Sequence, residues 1–104
     1  MGRVYHEPLL NVRDRAWFNA FCARSGFSWM RTQEHVCGKV KCVDGFVQGQ
    51  VYHRDGIYFW QVFQHDSNKA TRHGSSVKLE PASREMLTAL VSVRLGIAAK
   101  GITI

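Results

Sequence analysis

Two Asp-Gly steps constrain the fold of this chain more than any other feature. They separate three runs in which Val, Phe and Trp alternate with Lys and Gln: residues 36–43, 46–54 and 57–64. An Asp-Gly pair between alternating runs is typical of a tight type I′ turn, which needs positive φ at both central residues. Asp44-Gly45 and Asp55-Gly56 therefore predict a three-stranded antiparallel meander.

Helical periodicity flanks the meander on both sides. Asn11 can cap a helix whose apolar residues recur at helical spacing, which predicts a first helix over residues 12–25. Pro81 suits a first helical turn, and the apolar run that follows it predicts a second helix over 82–95, ended by Gly96. We expect this second helix to lie across the sheet.

The remaining segments have no strong periodicity. Residues 27–35 are predicted to link the first helix to the sheet, and residues 64–76 are rich in turn formers and predict a basic loop. Residues 77–79 can add a short edge strand. The expected fold is α+β: a three- to four-stranded antiparallel meander packed on a C-terminal helix, with an N-terminal helix.

Composition places this fold in one domain, residues 1–104. A content of 45% apolar and 12% aromatic residues is typical of an ordered globular chain. No apolar run reaches the about 20 residues of a membrane span, so no membrane partner is expected. Three cysteines cannot all pair within the chain, which favours free thiols and a reducing, cytoplasmic location. The formal net charge of +6 favours polyanionic partners.

The register set by the two turns sorts the strand residues onto two faces. The apolar face, which we expect under the second helix, collects Val36, Gly38, Val40, Cys42, Val47, Gly49, Val51, His53, Tyr58, Trp60 and Val62. The other face mixes cations, amides and aromatics: Cys37, Lys39, Lys41, Val43, Phe46, Gln48, Gln50, Tyr52, Arg54, Ile57, Phe59, Gln61 and Phe63. This mixture is neither a core nor an ordinary solvated surface.

The leading hypothesis is that the mixed face and the basic loop bind DNA or RNA. Cations can contact phosphates, and amides and a tyrosine can contact bases. The predicted nucleic-acid-binding residues are Lys39, Lys41, Gln48, Gln50, Tyr52, Arg54, Gln61, Lys69 and Arg72. No cofactor is implied.

Two other functions fit the same residues. One is a protein-interaction module, a homodimer or a small inhibitor of another protein, with Tyr52, Phe59 and Phe63 as anchors. A structural alternative, rather than a further function, is that the first helix covers part of the mixed face and buries Phe46, Phe59 and Phe63.

The second of the two other functions is a metal-free ribonuclease. His53 and Tyr58 are expected opposite each other beside Arg54 and Asp55, and in general build this resembles the compact ribonuclease toxins. No metal site is predicted, because Cys37 and Cys42 would point to opposite faces of a strand.

Overall fold

A computed structural model describes residues 10–25, 30–33, 38–42, 45–64, 67 and 69–101, the side chains of 30–33 and 98–101 excepted. In chain order its elements are α1 (Val12–Arg24), β1 (Met30–Gln33), β2 (Gly38–Cys42), β3 (Val47–Arg54), β4 (Ile57–Gln64), β5 (Arg72–Ser76) and α2 (Leu79–Gly101). The strands form one antiparallel sheet in the order β1-β2-β3-β4-β5. The predicted α+β meander with flanking helices is thereby confirmed.

The β3–β4 hairpin has the turn that its sequence predicts. Asp55 has φ 54° and Gly56 has φ 80°, the two positive values that a type I′ turn requires. Arg54 lies opposite Ile57, and this register continues to Val47 opposite Gln64. Of the Asp44-Gly45 step, the aspartate lies outside the described residues. The register that this step implies is nevertheless the one found between β2 and β3.

Both helices pack on the same face of the sheet. The face predicted to be apolar supplies fully buried valines at 40, 51 and 62, and α2 covers it with Met86 and Leu90, neither of which is exposed. Helix α1 adds Phe18 and Cys22 to the same core. The alternative in which the first helix covers the mixed face is therefore wrong. Val36 of the predicted apolar face lies outside the described residues.

Close packing of the helices depends on two glycines of this face. A Cβ atom at Gly38 would lie 2.8 Å from the ring of Phe18, and one at Gly49 would lie 2.3 Å from Sδ of Met86. These separations are shorter than any ordinary carbon contact, so the helices reach this depth because the strands carry no side chain at either position.

The sheet has an additional strand at each edge. β1 forms within the predicted linker 27–35 and pairs with β2, and β5 forms within the predicted loop 64–76 and pairs with β4. Residues 77–78 are a bend rather than an edge strand, because α2 begins at Leu79. These edge segments become strands because a neighbouring strand offers them backbone partners, a contribution that local sequence does not record.

The second helix is longer than predicted. It runs through Gly96 to Gly101, and a Cβ at Gly96 would meet no atom within 4 Å. An exposed glycine inside a helix costs only about 1 kcal/mol relative to alanine, so it does not force the helix to end. Within the described part of the chain, no helix combines the length and the apolar character needed to cross a membrane.

Candidate functional site

The face of the sheet opposite the helices carries the mixed residues, and we call it the open face. Its described members are Lys39, Lys41, Gln48, Gln50, Tyr52, Arg54, Ile57, Phe59, Gln61, Phe63, His73 and Ser75. Most of these side chains are half-buried against one another, and Arg54, His73 and Ser75 are exposed. No helix of the described ranges covers them.

A polar row crosses the middle of the open face. Lys39, Gln50, Gln61 and His73 lie opposite one another on β2, β3, β4 and β5. The Gln50 side-chain amide donates to Oε1 of Gln61 at 3.1 Å. This bond uses one donor and one acceptor, so each amide retains other hydrogen-bonding positions for a ligand.

An aromatic pair lies next to this row. The rings of Tyr52 and Phe59 stack with centroids 5.5 Å apart and planes 21° from parallel. The Arg54 guanidinium carbon lies 5.7 Å from the centroid of the tyrosine ring, within the range of a cation–π contact. The three side chains therefore form one contiguous cluster, in which Tyr52 contacts both Phe59 and Arg54.

The described strands contribute no acidic side chain to the positively charged open face. The five strands contain no Asp or Glu. The carboxylates of the described residues are elsewhere: Asp14 on α1, Asp55 in the β3–β4 turn, and Glu80 and Glu85 on α2. Lys39 and Lys41 are two residues apart on β2, about 7 Å along the strand. The open face is thus a cationic surface whose charge is not neutralised within the described chain.

Two predicted site residues are not on the open face. Lys69 is exposed in the segment between β4 and β5. Arg72 lies on β5 opposite Val62, which puts it on the helix side, where it lines a shallow cleft with Thr88 of α2. Predicting a loop at 64–76 missed the strand alternation that separates Arg72 from the mixed residues.

Phe46 also departs from its predicted face. Its ring is 44% exposed and lies 5.5 Å from the guanidinium carbon of Arg94, which belongs to α2. It precedes the first residue of β3, so strand alternation does not apply to it. Cys37 and Val43, predicted on the same face, lie outside the described residues.

Two residues of the open face were missed at 73 and 75. His73 completes the polar row, and Ser75 lies opposite Phe59. Their segment contains Gly and two Ser, a composition typical of turns, and the alternation of exposed and half-buried positions appears only once β5 is paired. The sequence signal that could have found them is the alternation of β4. It predicts a strand with two edges, of which β3 pairs with only one.

The residues suggested for ribonuclease chemistry lie on different faces. The rings of His53 and Tyr58 contact each other on the helix side, with centroids 4.5 Å apart, whereas Arg54 belongs to the open face. The Tyr58 hydroxyl donates to Oδ2 of Asp14 at 2.8 Å. Partial burial and this bond to a carboxylate raise the pKa of Tyr58. The phenol is therefore held protonated as a link between β4 and α1.

The described cysteine side chains contribute to the core. Cys22 and Cys42 are both buried, and burial raises the pKa of the Cys22 thiol to about 12. Within the described ranges, no three His, Cys, Asp or Glu side chains come together in a way that could hold a metal ion.

Comparisons with protein-family models, with curated proteins and with solved structures find no match for this chain. The residues of the open face are therefore the basis for any functional assignment.

Proposed function

We propose that the protein binds nucleic acid through the open face. The observation that carries the proposal is a sheet face that no described helix covers. Cations, paired amides and stacked aromatics occur together on it, and its described strands contain no carboxylate. Each of these groups matches one chemical part of a nucleic acid. A cytoplasmic location is part of the proposal, supported by the three cysteines of the chain, which cannot all pair with one another.

Charge supports this assignment first. Lys39, Lys41 and Arg54 contribute three cations to a surface whose strands have no acidic residue. Neutralising phosphates with such cations releases condensed counterions, which supplies most of the sequence-independent affinity of nucleic-acid-binding proteins. Of the described carboxylates, Asp14 of α1 and Glu85 of α2 bond to Tyr58 and Trp60 on the other side of the sheet, and Asp55 lies in the β3–β4 turn.

The neutral side chains add contacts to bases. The amides of Gln48, Gln50 and Gln61 each offer a donor and an acceptor, the combination that base edges present. Tyr52 and Phe59 offer ring faces on which bases can stack.

The experiment reverses the charge at two positions of β2. The double variant Lys39→Glu, Lys41→Glu should bind oligonucleotides more weakly, and its slope of log affinity against log salt should fall by about 1.4 to 1.8, the value for two lost phosphate contacts. Fluorescence anisotropy over a series of salt concentrations measures both quantities.

The matched control makes the same change of charge at two positions outside the five strands. Arg13→Glu, Lys78→Glu alters two exposed residues beside the N-termini of α1 and α2, where a carboxylate is favourable to the helix dipole. This control should keep a slope close to that of the wild type. Equal loss in the two double variants, or no binding by the wild type at low salt, contradicts the proposal.

A further inference from the structure

We infer that the nucleic acid bound by the open face is single-stranded. This inference rests on the proposed function and names its substrate class. It follows from the shape of the sheet, from the aromatic side chains and from the arrangement of the cations.

The sheet is too wide to enter a duplex groove. Five strands spaced by about 4.8 Å give a surface about 19 Å across. The major groove of B-DNA is about 12 Å wide and accepts a helix or a two-stranded ribbon. The major groove of A-form RNA is deep and too narrow for side chains to read the bases. The glutamines of β3 and β4, in the interior of the sheet, therefore cannot reach base edges through the major groove of either duplex, whereas unpaired bases present their edges freely.

The aromatic side chains of the open face cannot stack on the bases of a duplex. Bases in a duplex already stack on each other, so their faces are not available to a protein ring. Tyr52 and Phe59 stack on one another, Arg54 lies within cation–π range of Tyr52, and both rings are half-buried with no described helix above them. Such rings bind single strands by stacking on unpaired bases, a contact that tolerates any base sequence.

Strand β4 gives the spacing of the base contacts. Phe59, Gln61 and Phe63 are successive residues on the open face, each about 7 Å from the next along the strand. Two aromatic platforms thus flank one amide, which suits stacking, hydrogen bonding and stacking of neighbouring bases. The ligand backbone would then follow Lys39 and Lys41 on β2, with its bases directed across β3 and β4.

The test compares single strands with duplexes of the same sequence. Short labelled oligonucleotides that form no hairpin are prepared as DNA and as RNA, each alone and annealed to its complement, and titrated with the full chain. Single strands should bind about tenfold or more tightly than duplexes, as expected from stacking contacts that only the single strands can make. A preference kept in both sugars supports stacking on bases, and a gain specific to RNA supports the same site with an added 2′-hydroxyl contact.

One variant isolates the aromatic contribution. Phe59→Leu keeps an apolar side chain in the sheet but removes the ring, and it should weaken single-strand binding about fivefold or more with little effect on duplexes. Phe46→Leu is the matched control, because Phe46 is an exposed phenylalanine in contact with α2 rather than with the open face. This control should bind single strands like the wild type.

The outcomes separate this inference from the proposed function. Equal or tighter binding of duplexes overturns the single-strand assignment and leaves nucleic-acid binding standing. A single-strand preference that Phe59→Leu does not reduce overturns the stacking role of β4. Failure to bind any of the four oligonucleotides overturns both the inference and the proposed function.

Discussion

Replacing Phe59 with alanine measures how much the open face contributes to stability. Phe59 stacks on Tyr52 and is half-buried, with no described helix above it. The aromatic pair contributes about 1 kcal/mol beyond its area, and partial burial of the ring adds about 1 kcal/mol. We therefore expect Phe59→Ala to lower the free energy of unfolding by about 2 kcal/mol, summed from these two contributions.

Phe18→Ala provides the matched comparison from the core. Phe18 is fully buried between α1 and Gly38, and removing such a ring costs about 4 kcal/mol. In a domain of this size, about 5 °C of melting temperature corresponds to each kcal/mol, so the two variants should lose about 10 °C and about 20 °C respectively.

Thermal unfolding and urea titration, each with sizing chromatography, test this difference. Phe59→Ala should keep the mass of the wild type if its ring serves a nucleic-acid ligand. A fall in mass would instead support the homodimer form of the interaction module, in which Phe59 is an anchor. A loss for Phe59→Ala as large as that for Phe18→Ala would refute the conclusion that the open face lies outside the core.

Two further predictions concern the helix side of the sheet. Gly49→Ala should lower the free energy of unfolding by about 1 to 3 kcal/mol, because its methyl group would overlap the buried Met86. Gly96→Ala, at an exposed helical position of α2, should raise the free energy of unfolding by about 0.5 to 1 kcal/mol. Urea unfolding measures both variants, and a change of the same sign in the two would contradict the packing. Because burial raises the pKa of Cys22, its thiol ionises at a lower pH in the unfolded chain than in the folded one. The free energy of unfolding of the wild type, relative to that of Cys22→Ala, should therefore be constant below pH 9.0 and fall progressively toward pH 12. Parallel pH profiles of these two proteins would disprove that burial.

The hairpin and the two faces could be predicted from sequence because they depend on local chemistry. The Asp55-Gly56 turn fixes its own geometry, and the strict alternation of β3 and β4 follows once that turn fixes the register. The seven predicted nucleic-acid-binding residues of β2, β3 and β4 therefore lie together on the open face. The direction of each of these side chains depends only on counting from a turn.

The edges of the sheet and the position of α1 could not be predicted in this way. Residues 30–33 and 72–76 are short, polar and without apolar alternation, and they are strands because β2 and β4 present unpaired backbone groups to them. The apolar stripe of α1 fits either face of a sheet equally well. What decides its side is the space above Gly38, which accepts Phe18, and a glycine in a strand does not by itself reveal which ring will fill that space.

The one-sided core also makes this protein a suitable scaffold for combinatorial libraries. Every described side chain that is fully buried lies on the helix side or within the helices. Randomising positions 39, 41, 50 and 61 would therefore change the chemistry of the open face without removing a core contact. Sheet registers are fixed elsewhere, by the β3–β4 turn and by the valines under α2. Binders selected from such a library would share one framework and differ in the amides, cations and rings that they present.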